Sequence, residues 1–582
     1  MVASKQGESR PYDLIIRNGM VIDGSGLPRR RADVGIRDGK VARLAHLAGQ
    51  VAKEEIDATG LIVAPGIVDP HTHYDPQITF DPYATMSCFH GVTTVLAGNC
   101  GFSVAPCRQA DVDFLKGIFA RVEDMAPEAL AGVRWDEFET FEEFLATRTG
   151  RLGVNLACYI GHSNLRIWVM GKEDAHQRTA TDEEIAAMGD MLRRALEAGA
   201  AGLSSSASPT QMDIHGNPVP SRLADNREVM ALARVVGEFG RGSISFLPYG
   251  AMGGITEDDK ATLIEIGRNA CVPVIIQGLG GRNKTDAPSA AWPKAVEFLD
   301  QAVAAGAPVY SLLIARPFDR PVIFNNTNFH YPAVPSWHRL MTMSRDERHA
   351  TLRDPAARDE MRQAVENYNR DPAMGTTLSP PLWNALYVDA VALAKNKTLE
   401  TASVADLAAA TGKAPGDYVL DLLDEEDFAT SFRWRTESPE WTDAVREAMH
   451  DTRMIIGTSD GGAHLAKDDG ADWSSYFLGS WVRDRGEWTL EEGIRQITQV
   501  PASLIGLVDR GTIRVGGPAD IMIFDPATIG IWRKEFVTDL PGGAGRYKAW
   551  GHGVKATLVN GQPIVLDGKL TDRLPGEVLR PS

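Results

Sequence analysis

His71 and His73 stand two residues apart at the end of an apolar run, Leu-Ile-Val-Ala-Pro-Gly-Ile-Val-Asp-Pro-His-Thr-His over residues 61–73. On a strand, residues i and i+2 face the same side. The two imidazoles therefore project together from a strand end, where they can share one metal ion. Cys100, in Asn-Cys-Gly, and Asp460, in Ser-Asp-Gly-Gly, each follow another apolar run. A thiolate and a carboxylate added to two imidazoles make a four-ligand set suited to zinc. Asp460 can also take a proton from an attacking water and pass it to a leaving nitrogen. The plain alternatives are a buried structural thiol for Cys100 and a helix N-cap for Asp460.

Further polar residues follow other apolar runs. His162 and Arg166 frame Gly-His-Ser-Asn-Leu-Arg. There His162 could polarise a carbonyl and Arg166 could anchor a carboxylate. A loop-bonded histidine and a surface ion pair are the alternatives. Gln277 offers an amide contact to substrate or a packing role. Asp75 could orient a metal-bound imidazole, and His464 could support the ligands from outside. The loop Phe324-Asn-Asn-Thr-Asn-Phe-His330-Tyr331 carries hydrogen-bonding groups between aromatics, which suits contact with a small, partly apolar molecule.

The elements that must position these residues show in the hydrophobic pattern. Eight apolar runs end in small or polar residues: 67–73, 92–100, 154–162, 200–206, 243–249, 272–279, 308–315 and 453–460. Helical patterns fit between most of them, for example at 181–198, where Thr181 and Glu184 form a capping box, and at 290–305. Apolar strands alternating with helices predict a parallel sheet covered on both faces. Eight such units predict a closed (β/α)₈ barrel over 65–508, with its chemistry at the C-terminal strand ends. Residues 316–452 are too long for a plain connection and read as an insertion closing over the barrel mouth. An independently folded side domain, or an oligomer contact on the barrel flank of a homo-oligomer, are the alternatives. Residues 1–64 and 509–582 read as short strands punctuated by Asn18-Gly19, Asp38-Gly39 and Asn560-Gly561, the two chain ends packing together as one small β module beside the barrel.

Composition narrows the partners. The net charge of −17 argues against nucleic acid and an anionic membrane surface. Five cysteines in 582 residues do not make a disulfide framework. Met1–Arg10 lacks the apolar core of a signal peptide, so a cytoplasmic setting with a small-molecule substrate is expected.

Together these segments resemble the amidohydrolase superfamily, and within it the D-aminoacylase (N-acyl-D-amino-acid deacylase) branch. The resemblance rests on Asp13–Asp23, Ala64–His73, Gly91–Gly101, Gly161–Arg166, Ser459–His464 and Ala519–Asp525. It implies a β-sandwich beside a metal-bearing barrel, with a metal-activated water attacking an amide. By position, His71 and His73 would be strand-one ligands, Cys100 the thiolate ligand, and Asp460 the strand-eight ligand and base. Members of the branch usually carry two more histidines at the ends of strands five and six. Here those segments read Ser-Ile-Ser-Phe-Leu-Pro and Val-Ile-Ile-Gln-Gly-Leu, and strand four has no lysine. One zinc ion is therefore expected rather than two. The expected activity is metal-dependent hydrolysis of a C–N bond outside peptide chains, in an N-acyl amino acid or related amide. Carbamate or lactone hydrolysis on the same fold, or a non-catalytic assembly role, are the alternatives.

Overall fold

The computed structural model describes residues 11–251, 255–277, 288–324, 334–367, 383–468 and 470–582. All eight apolar runs contain strands. They lie at Ile67–Asp69, Val92–Ala97, Asn155–Cys158 with Ile160–Gly161, Gly202–Ser206, Ser243–Leu247, Val274–Ile276, Val309–Leu313 and Met454–Ile456. The third run is split at Tyr159, so the strands fall into a three-stranded and a six-stranded sheet. Every pairing within both sheets is parallel and joins consecutive runs. Between the last run and the first, a single parallel bridge joins Thr72 to Gly461. Val68, Leu96, Ala157, Tyr159, Ile275, Leu312 and Ile455, from strands around both sheets, share one buried cluster. Side chains of nearly every run therefore meet in one interior, as parallel strands buried on both faces require.

Helices cover the outside. Asp182–Ala198 starts where the sequence places it, with Thr181 and Glu184 capping each other's backbone N–H, and stops at the left-handed Gly199. Its buried residues Ile185, Met188, Leu192 and Leu196 make one stripe.

The two chain ends pair directly. Ile62–Pro65 runs antiparallel to Ile521–Phe524 in a seven-stranded sheet. A four-stranded sheet contains Tyr12–Arg17, Asp33–Arg37, Lys40–Ala45 and Ala52–Asp57. Leu14, Ile16 and Val34 of this sheet share an apolar cluster with Val63, Ile521 and Leu558 of the larger one. Asp38-Gly39 and Asn560-Gly561 turn hairpins. Asn18-Gly19 does not. Tyr12–Arg17 and Met20–Val21 lie in different sheets, so this dipeptide is a corner where the chain changes sheet. Its left-handed Asn18, φ 63°, supplies a bend rather than a register.

Between the seventh and eighth runs, Asp319–Ile323, Leu386–Ala390 and Ser431–Arg435 form a separate antiparallel sheet. Helices such as Pro355–Glu366 and Pro415–Glu425 accompany it, and Trp337, Leu352, Val388, Leu423 and Phe432 form its own core. Asn325, Asn328, His330 and Tyr331, expected to reach the mouth, lie outside the described residues. No helix among the described residues is long and apolar enough to cross a membrane.

Candidate metal centre

The end of the first strand is held from both sides. Asp69 is buried, and its Oδ1 accepts the His71 N–H at 3.3 Å and faces Ser459 N at 3.5 Å. Its Oδ2 accepts the Trp473 indole N–H at 3.0 Å. One carboxylate thus ties the histidine pair to the loop that carries Asp460. Burial pushes its acid up to about 6, against the hydrogen bonds that favour the anion. Thr72, between the histidines, points the other way and donates its hydroxyl to Leu96 O at 3.0 Å. Asn99 donates to Thr72 O and Leu96 O, at 3.2 and 2.9 Å, and so fixes the turn that presents Cys100.

The Ser-Asp-Gly-Gly loop needs both glycines. The N–H of His73 donates to Gly461 O at 2.7 Å, which brings the two backbones together. A Cβ on Gly462, φ +91°, would stand 2.5 Å from His73 O, and one on Gly461 2.6 Å from the Tyr74 ring. Three non-glycine residues here also adopt left-handed backbone: Cys100 at φ 58°, Asp460 at 53° and His464 at 55°. Side chains rarely accept that conformation without a compensating reason.

The donors converge. One ligand atom each from His71, His73 and Cys100 falls within 4.8 Å of the others, and all three residues are buried. Cys100 Sγ lies 3.7 Å from His71 Nε2. Asp460 Oδ1 lies 3.4 Å from His71 Nε2 and 3.8 Å from His73 Nε2. Two ligands bonded at zinc distances to one tetrahedral ion stand about 3.3–3.6 Å apart, so the observed spacings are close to those of a shared ion. His73 gives the clearest test of fit. Neither of its ring nitrogens has a hydrogen-bond partner, although both are buried. Burial pulls its acid down to about 4, against the pull of Asp460, so the ring is neutral at pH 7, the form that binds metal. These residues fit a divalent ion.

Other expected residues are placed differently. Gln277 directly follows the sixth strand, and its Nε2 lies 2.6 Å from His71 Nδ1 and also touches His71 Nε2. Its amide is turned to the His71 imidazole. Phe246 and Leu247 end the fifth strand and are buried, with nothing to offer a metal. His162 and Arg166 require correction. The His162 ring bonds Ser205 Oγ and Glu228 Oε1, each at 2.8 Å, which uses both nitrogens. Arg166 bonds Glu228 Oε2 and donates to Ala175 O and Arg178 O. All three side chains are buried, so they form a tie between helices His162–Met170 and Asn226–Phe239. With both ring nitrogens and the guanidinium engaged there, neither the expected carbonyl polarisation by His162 nor carboxylate binding by Arg166 is available. Asp75 Oδ2 accepts the Val104 N–H at 2.9 Å and so anchors that loop.

Two residues were missed. Glu228 carries no motif, because its partners come from another helix. Glu123 ends helix Val112–Val122 and reads in sequence as an ordinary charged helix end, yet its Oε2 lies 3.5 Å from His73 Nε2 and 3.8 Å from His464 Nε2. Burial, aided by Arg320, brings His464 down to about 4, so it too is neutral at pH 7.

Comparison with known proteins adds independent findings. The family model described as "Amidohydrolase family" matches residues 54–565. D-aminoacylase of Alcaligenes xylosoxydans xylosoxydans is 28% identical, over 99% of this chain and 99% of that protein. N-acyl-D-glutamate deacylase of the same organism is 29% identical, over 98% and 96%. Among solved structures, N-acyl-D-glutamate deacylase from Bordetella bronchiseptica, complexed with zinc and a phosphonate inhibitor, superposes with a TM-score of 0.65 at 24% identity. That match covers 98% of this chain and 100% of the other. At that identity the structural likeness speaks for the fold.

Proposed function

From the premise that the chain belongs to the amidohydrolase family, we propose that it is a metal-dependent hydrolase of N-acyl amino acids, cleaving the amide C–N bond. The observation that carries this reading is His73, its buried ring nitrogens without hydrogen bonds and set among His71, Cys100 and Asp460. These four residues would hold one ion, and a thiolate with two imidazoles favours zinc. A bound ion supplies Lewis acidity, making a water more acidic and the amide carbonyl more electrophilic.

The remaining work falls to the chain. Asp460 is the general base: it accepts the proton of the attacking water and returns it to the leaving nitrogen. Its side chain keeps 17% of its surface open, while His71 and His73 are sealed, so the carboxylate is the group that faces arriving substrate. Gln277 steadies His71, and His330 and Tyr331 are the candidates for contact with substrate. The eight parallel runs are read as a closed (β/α)₈ barrel over 65–508 with the 316–452 insertion. Residues 1–64 and 509–582 are read as a sandwich. The shared interior cluster, the Thr72–Gly461 bridge and the apolar cluster between the two terminal sheets support this reading.

The test is metal analysis of the purified chain together with amine release from paired N-acyl-D- and N-acyl-L-amino acids. One ion per chain is expected, with release lost on chelation and restored by zinc. A chain without a stoichiometric ion that releases no amine from any member of either series would end the proposal.

A further inference from the structure

Glu123 is 3% exposed, and its carboxylate faces the metal-side imidazoles. Its distance to His73 Nε2, 3.5 Å, is too long for an N–H···O bond, which runs about 2.7–3.2 Å. It is close to the separation of two ligands on one tetrahedral ion, about 3.4 Å for N and O donors. The same spacing separates Asp460 Oδ1 from His71 Nε2, at 3.4 Å. Two carboxylate oxygens thus stand near His73 Nε2, Glu123 Oε2 at 3.5 Å and Asp460 Oδ1 at 3.8 Å, while the ring nitrogens make no hydrogen bond.

The backbone holds Glu123 in this place. His464 donates its N–H to Glu123 O at 2.7 Å. The next residue, Asp124, turns left-handed at φ 54° and pairs with Lys467 at 2.7 Å. The helix end is thus clipped twice to the loop that carries Asp460, and the two carboxylates are positioned by one unit.

We propose that Glu123 is a metal ligand of this chain, a carboxylate donor beside His73 in a site whose fifth and sixth strands end in Phe246, Leu247 and Gln277. The proposal rests on the metal-hydrolase reading above and adds a residue to it.

The direct test is the structure of the zinc-loaded, full-length protein. A Glu123 oxygen within about 2.0–2.2 Å of the ion is expected, the range for zinc carboxylates. A Glu123 carboxylate beyond 3 Å from a bound ion overturns the proposal and leaves the hydrolase reading intact. A chain that binds no ion overturns both. Cobalt-loaded variants give a second readout. Glu123→Gln should weaken cobalt binding at least tenfold in chelator competition and shift the visible d–d bands, with Glu123→Asp restoring part of each. Unmoved bands in a folded Glu123→Gln protein, whether or not affinity falls, remove Glu123 from the ligand set.

Discussion

Glu228→Ala should destabilise the protein by about 3–5 kcal/mol, the usual consequence of removing one partner from a buried ion pair. The figure can be built from contacts. Glu228 Oε1 meets His162 Nε2 at 2.8 Å, and Oε2 meets the Arg166 guanidinium. Two hydrogen bonds to a charged group are worth about 1.5–3 kcal/mol each. The carbonyls of Ala175 and Arg178 still accept from Arg166, which keeps the loss below that of a wholly abandoned guanidinium. Burial raises the Glu228 acid, but His162 and Arg166 outweigh it and hold it below its ordinary 4.5. With the folded value below the unfolded one, the stabilisation is present above 4.5 and fades as pH falls through the folded value. The assay is urea unfolding at pH 7 of the wild type, Glu228→Ala, His162→Ala and the double variant, with zinc content measured on each. The two single losses should not add, because both break one network. A loss under about 1 kcal/mol, or losses that simply add, would refute the tie. Intact stability with lost turnover in His162→Ala would return His162 to the reaction.

Asp460→Asn should keep the fold, since asparagine tolerates a left-handed backbone, and lower turnover by about 10²–10⁴, the usual worth of a general base; near-normal rates in a folded variant would exclude this role. Cys100→Ser should lower zinc affinity, measured by chelator competition, because a hydroxyl is a far poorer zinc donor than a thiolate; unchanged affinity would make Cys100 a packing residue. Burial raises the Asp75 acid from 3.8 to about 7. With the folded value above the unfolded one, the folded chain holds this proton more tightly, so the metal-free protein should lose stability as pH rises from about 4 to 7. Asp75→Asn should flatten that slope in thermal melts, and an unaltered slope would show that the carboxyl titrates normally.

Strands were legible because a strand buried on both faces of a parallel sheet favours a largely apolar run with little charge, as at Val92–Ala97. His71 and His73 were legible because a period of two fixes a shared direction. The direction of a lone strand-end residue is not fixed in that way. His162 follows its run as Cys100 follows another, and only the arrival of Glu228 from Asn226–Phe239 decides that the ring is tied up. Glu123 escaped for the same reason: a helix end about fifty residues beyond the histidine pair stands beside it through folding alone. Asn18-Gly19 shows a subtler limit. A left-handed dipeptide specifies a sharp bend, and whether the strands then pair depends on which sheet offers each the better partner.

The left-handed backbone at Cys100, Asp460 and His464 sets this protein's response to selection. Glycine or asparagine at such positions relieves about 1 kcal/mol or more of strain. A directed-evolution campaign that scores only thermal tolerance should therefore drift toward these replacements and discard donor atoms while the melting point climbs. Heat resistance and turnover would part company at these positions first, and a library screened on both should leave them untouched while it accumulates gains elsewhere.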